Sequence, residues 1–200
     1  MIKNLIFDFG DIFINLDKPA TFRELEKLGY MEVQPDMLAL AKQYEMGLVS
    51  SEGFLLQLNT MLPLTNVEHI QHAWNAIIRD FPEYRLTFVE ELKQENNYRL
   101  FLLSNTNDLH IEYVKKTMGL DRFERFETCF EQFYLSHEIH MRKPNSDIFE
   151  FVLDQNQLKA EETFFIDDTK ENTDTAQLLG IKSWNLQVGN EDIIDLKSKL

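Results

Sequence analysis

Leu5-Ile6-Phe7-Asp8-Phe9-Gly10 is the stretch that decides how this 200-residue chain folds. An apolar run too short for a helix ends on a carboxylate. Two later stretches repeat the pattern: Leu100-Phe101-Leu102-Leu103 ends at Ser104-Asn105, and Phe164-Phe165-Ile166 ends at Asp167-Asp168. Continuous apolar runs of this length fit parallel strands covered on both faces. In an open α/β sheet, sites form outside the carboxyl ends of the strands. Three strands therefore bring carboxylates and a hydroxyl to one rim. Lys143, in the loop Met141-Arg142-Lys143-Pro144, offers a cation to complete it.

Such a rim suits phosphoryl transfer. A carboxylate can attack phosphorus and form an aspartyl-phosphate. A magnesium ion on oxygen ligands offsets the repulsion between nucleophile and phosphate. A hydroxyl and the N–H groups opening the next helix hold phosphate oxygens, and a lysine neutralises the remaining charge. Adjacent carboxylates such as Asp167-Asp168 repel unless a cation or proton compensates, so this pair calls for a metal.

The order and spacing of Asp8, Ser104, Lys143 and Asp167-Asp168 resemble the four signature motifs of the haloacid dehalogenase superfamily, over essentially the whole chain. Phe7-Asp8-Phe9-Gly10, Leu103-Ser104-Asn105-Thr106-Asn107, Met141-Arg142-Lys143-Pro144 and Asp167-Asp168 followed by Asn172 are similar to the subgroup containing bacterial α-glucose-1-phosphate phosphatases. The resemblance implies a magnesium-dependent phosphatase acting on a small, sugar-phosphate-like ester. Asp8 would be the nucleophile, and Ser104, Asn105 and Lys143 would hold the phosphoryl group. The metal ligands would be Asp8, the Gly10 carbonyl and Asp168, with Asp167 supporting the metal from outside its ligand set or through water.

Gly10 departs from the wider superfamily, where a second aspartate at this position serves as general acid and base. Asp11 and Asp17 lie nearby, and the role falls to one of them or to neither. Two rival functions follow. A 2-haloacid dehalogenase also lacks the second aspartate, but needs no metal and leaves Asp167-Asp168 unexplained. A catalytically weak phosphate-binding module is the other, motivated by the missing acid.

Composition narrows the partners. A formal net charge of -14 argues against a nucleic-acid backbone or an anionic membrane surface. No run is long enough to span a bilayer and no signal-peptide pattern opens the chain, because Asp8 interrupts the apolar stretch. Cys129 is the single cysteine, expected as a buried thiol in a reducing cytoplasm.

Pro19, Pro35, Pro63 and Pro82 fall between the first two strands and punctuate four amphipathic stripes. These are Phe22-Leu25-Leu28, Met37-Leu40-Ala41-Tyr44, Phe54-Leu55-Leu58-Leu62, and Val67-Ile70-Trp74-Ile77-Phe81 behind a Thr65–Glu68 capping box. They predict a small helical bundle at residues 15–85, similar to the cap of the superfamily. Residues 1–14 and 86–200 then form a doubly wound, Rossmann-like α/β core with alternating helices and strands. His69 and His72 stand off the apolar stripe and read as a solvated face. His137 and His140 border the Lys143 loop without an evident third ligand. Tyr44-Glu45-Met46-Gly47 forms a helix–loop junction positioned to face a substrate.

Overall fold

The computed structural model describes residues 1–63 and 65–200. Five strands form one sheet: β1 (Asn4–Phe7), β2 (Arg99–Ser104), β3 (Gln132–Leu135), β4 (Thr163–Asp167) and β5 (Lys182–Asn185). Their order is β3-β2-β1-β4-β5 and every pairing is parallel. Successive side chains on a strand point to opposite faces, so each apolar run feeds two cores. Leu5, Phe7, Leu100, Leu102, Phe164 and Ile166 face one layer. Ile6, Phe101, Leu103 and Phe165 face the other.

Helices cover both layers. On the first face lie α5 (Glu83–Glu95), α6 (Asp108–Met118) and α7 (Leu120–Glu127), contributing Leu86, Val89, Val114 and Phe126 among others. On the second lie α9 (Ser146–Asn156) and α10 (Lys170–Leu178), contributing Ile148, Phe149, Val152 and Ala176. A one-turn α8 (Ser136–Ile139) follows β3. This is the doubly wound α/β arrangement expected from the sequence. Helix α7 was not anticipated. Its Phe123 and Phe126 join Phe130 and Phe133 in edge-to-face contacts that fill the first layer.

Between β1 and α5 the chain forms α1 (Ala20–Lys27), α2 (Pro35–Glu45), α3 (Ser51–Met61) and α4 (Val67–Asn75). Their stripes bury a separate core of Leu25, Met37, Leu40, Tyr44, Phe54, Leu58 and Ile70, to which α6 adds Leu109. The chain leaves and returns side by side: Asn15 N–H donates to Asp80 O at 2.9 Å and Asp17 N–H to Ile77 O at 2.8 Å.

Two local expectations are corrected. The cap of α4 is Asn66, not Thr65: the Asn66 side chain accepts from His69 N–H at 2.9 Å, while Thr65 N–H is turned back onto Leu62 O at 3.3 Å. Helix α4 also stops at Asn75, short of Ile77 and Phe81. Pairing of residues 77–80 with residues 15–17 displaces the helical hydrogen bonds there, and Phe81 joins the sheet's core instead. His69 and His72 are exposed, and Cys129 is buried with its thiol pushed up to about 11 by burial. Among the described residues no helix is long and apolar enough to cross a membrane.

Candidate active site

The strand order reverses between β1 and β4, since β2 and β3 extend the sheet one way and β5 the other. A crevice opens at the carboxyl ends of these two strands. Asp8 leaves β1 there, its N–H still bonded to Ile166 O at 2.9 Å. Asp167, the last residue of β4, is completely buried.

Lys143 joins them. Its Nζ donates to Asp8 Oδ1 at 2.7 Å and to Asp167 Oδ2 at 2.6 Å, and its side chain is only 1% exposed. Burial works against the ammonium, but Asp167 and Asp8 outweigh it and hold the Lys143 pKa above its ordinary value. Burial raises the Asp8 carboxyl, and Lys143 only partly opposes it because Asp167 and Asp168 add like charge. Asn105 seats the lysine loop through two hydrogen bonds of its side-chain amide. Its Nδ2 donates to Lys143 O at 2.8 Å, and its Oδ1 accepts from Lys143 N–H at 2.9 Å. Asn172 donates to both Asp167 oxygens at 3.1 and 3.0 Å, and Thr169 N–H adds a third bond at 2.7 Å.

Ligand oxygens of Asp8, Asp167 and Asp168 all lie within 4.8 Å of one another. A magnesium ion with oxygens at ~2.1 Å spans about 4.2 Å between opposite ligands, so the cluster fits such an ion after a small contraction. The donors are hard oxygens only, as that ion prefers. Lys18 also reaches the cluster, bonding Asp168 Oδ2 and standing 3.1 Å from Asp11 Oδ2. Four carboxylates thus face two ammonium groups, an excess of negative charge that a divalent cation offsets.

A cavity of about 270 Å³ opens onto Asp8, lined also by Gly10, Ser104, Asn105, Lys143 and Asp168. All the expected site residues except Asp167 line it, and Asp167 lies behind Lys143. Among the ionisable lining residues, sequence reasoning missed Lys18 and His110. Burial lowers the His110 pKa to about 4, and the ring is bracketed by Trp74 O at 3.1 Å and Asn107 Nδ2 at 3.2 Å. A neutral ring donating from Nε2 and accepting at Nδ1 satisfies both, so His110 is a structural wall and not a proton carrier.

Neither alternative for the missing acid reaches the cavity. Asp11 sits in the left-handed region at φ 54°, with Oδ1 accepting from Leu16 N–H at 3.0 Å and Oδ2 facing Lys18. It closes the loop after β1. Asp17 is clasped by Arg23 at 2.9 and 2.6 Å and by Arg79, which hold its carboxyl far below the usual range. A Cβ placed on Gly10 would meet Leu16 Cδ1 at 2.7 Å, so Leu16 fills part of the space an acid there would need.

The family model of haloacid dehalogenase-like hydrolases matches residues 5–180. The chain belongs to that family. Among haloacid dehalogenase-like relatives, it is 25% identical over 196 residues to the D-ribitol-5-phosphate phosphatase of Bacteroides thetaiotaomicron, covering 94% of each chain. Among solved structures, a family enzyme of Bacteroides thetaiotaomicron in a magnesium complex superposes with a TM-score of 0.86 at 34% identity. That match covers 95% of this chain and 96% of the other. A predicted haloacid dehalogenase-like hydrolase of Porphyromonas gingivalis gives 0.83 at 29% identity, covering 100% of this chain and 97% of the other.

Proposed function

We propose that this chain is a magnesium-dependent phosphatase of small phosphate esters, sugar or alditol phosphates among them. The observation that carries the reading is the convergence of Asp8, Asp167 and Asp168 on one point beside the buried Lys143. The relatives support it: one is a D-ribitol-5-phosphate phosphatase, and another was solved with magnesium and inorganic phosphate.

In this reading Asp8 attacks phosphorus, the ester oxygen leaves, and water then cleaves the aspartyl-phosphate. Lys143 and Ser104 hold the equatorial oxygens, together with the Asn105 backbone N–H, since the Asn105 side chain is engaged by the lysine loop. Asp8, the Gly10 carbonyl and Asp168 would hold the metal, and Asp167, which bonds Lys143, would support it. Bound there, Mg²⁺ supplies a Lewis acid that draws charge from the phosphoryl oxygens. Residues 15–85 form a cap over the core of residues 1–14 and 86–200. Their separate apolar core and the paired crossing strands at residues 15–17 and 77–80 support this division.

The test is a phosphatase screen over sugar, alditol, acyl and aryl phosphates, with Mg²⁺ and with excess EDTA, beside Asp8→Ala. Turnover that needs Mg²⁺ and Asp8 is expected. Full activity in EDTA, together with release of halide from a 2-haloacid, would return the dehalogenase reading.

A further inference from the structure

The end of α2 is bolted to the core at four successive residues. Tyr44 is buried against Phe54, ring centroids 4.2 Å apart, and its hydroxyl oxygen accepts from Leu109 N–H at 3.1 Å. Glu45 O accepts from Ser136 Oγ at 2.6 Å. Met46 O lies 2.9 Å from His140 Nδ1. Gly47 adopts φ +65°, and a Cβ there would stand 2.0 Å from His137 O, so only glycine allows this approach. This rigidity fixes one side chain, Glu45, in the wall of the cavity that opens onto Asp8.

The Glu45 carboxylate is itself oriented. Arg142, next to Lys143, reaches Oε2 with Nη2 at 3.0 Å and Nε at 3.3 Å. Both bonds fall on the same oxygen. Among the described residues, Oε1 accepts no hydrogen bond from the protein. A fixed carboxylate with one open oxygen is a strong acceptor for hydroxyl groups and a strong repellent for anions. The apolar lining side chains Leu16, Ile77, Ile78 and Val114 offer no competing acceptor. At about 270 Å³ the space is small for a ligand pocket, which suits a short leaving group.

We infer that Glu45 selects the leaving group: it accepts hydrogen bonds from the hydroxyls of a short neutral polyol phosphate and excludes leaving groups that carry a second negative charge. The inference rests on the phosphatase reading above and adds the residue and the selectivity to it. Arg142 acts through Glu45, as its positioning residue.

The experiment compares kcat/KM for ribitol 5-phosphate, phenyl phosphate and 3-phosphoglycerate in Mg²⁺. Wild type should favour the alditol ester over 3-phosphoglycerate. In Glu45→Ala, the ratio of alditol to phenyl phosphate should fall roughly tenfold to a hundredfold, the loss expected when hydrogen bonds to a charged group are removed. The ratio of 3-phosphoglycerate to phenyl phosphate should rise, because the carboxylate that repels a second negative charge is gone. Glu45→Gln keeps an acceptor for Arg142 and guards against misfolding. It should move both ratios the same way by a smaller factor, with an unchanged melting temperature. Ratios within threefold of wild type in both variants would overturn the inference and leave Glu45 a cap clamp, even if every rate fell together. A wild type that turns over none of the three esters would instead overturn the phosphatase reading.

Discussion

Lys143→Met tests whether the site is an electrostatic assembly or merely a packed one. Methionine keeps most of the stem's bulk and removes the ammonium from between Asp8, 2.7 Å away, and Asp167, 2.6 Å away. Removing one partner of a buried ion pair costs about 3–5 kcal/mol, because the other charge stays buried without compensation. For a chain of this size, 1 kcal/mol moves the melting temperature about 2–4 °C, so the variant should melt roughly 6–20 °C lower at neutral pH. The deficit should depend on pH with a definite sign. Asp8 already carries a raised pKa, and losing the ammonium raises it further. A carboxyl whose folded pKa exceeds its unfolded value stabilises the fold in acid and loses that contribution as pH rises through the folded value. The gap between variant and wild type should therefore be smallest near pH 5 and widen as pH rises through about 7, where wild-type Asp8 ionises. Urea unfolding of both proteins at pH 5 and pH 8, in metal-free and phosphate-free buffer, measures it. A gap under about 1 kcal/mol at pH 8, or one that fails to shrink at pH 5, would refute the assignment of Lys143 as the counter-ion of two buried carboxylates.

Asp8→Asn should abolish turnover while leaving the melting temperature equal or higher, since a neutral amide relieves repulsion from Asp167 and Asp168. A lower melting temperature by scanning calorimetry would argue that Asp8 stabilises the fold. His110, with its pKa held near 4 by burial, lets the unfolded chain take up a proton first as pH falls below about 6.5. It should cost the fold roughly 3 kcal/mol between pH 7 and pH 4. Chemical unfolding of His110→Gln should show that much less acid sensitivity, and an unaltered pH slope would contradict the burial argument. Gly10 removes the usual acid, so wild-type rates should fall steeply as leaving-group pKa rises, general acid catalysis being worth on the order of a hundred- to ten-thousandfold. Gly10→Asp, once Leu16 gives way, should flatten that plot. A plot already flat in wild type, with chemistry rate-limiting, would mean that another acid serves.

The strand ends were legible because each apolar run stops abruptly at a polar pair, and a parallel sheet turns that pattern directly into a rim. Asp8, Ser104 and Asp168 could be nominated without coordinates for that reason, and Lys143 by its place between the second and fourth motifs. Lys18 could not. It precedes Pro19 in a loop, and only the turn at Asp11 carries it back to Asp168. The choice between Asp11 and Asp17 was likewise closed to sequence, because it depends on which partners fold against them: Leu16 N–H and Lys18 for one, Arg23 and Arg79 for the other. The overlong reading of α4 shows the limit of periodicity. Ile77 and Phe81 keep the helical spacing, yet the backbone there finds partners in residues 15–17. Spacing reports which residues are buried, not which chain buries them.

The central position of β1 has a consequence for biosynthesis. Asn4 pairs with Arg99 on one side and with Thr163 on the other. The ribosome therefore delivers the middle of the sheet first and its last neighbour ~160 residues later, about 8–30 s at ordinary elongation rates. Through that interval the edge of β1 that meets β4 stays unpaired, and its Ile6 face stays open until α9 and α10 follow. The nascent chain carries its stickiest segment longest, which makes it a natural client for a chaperone that holds short apolar peptides. It also means that the catalytic rim comes into being only when the final third of the polypeptide has docked.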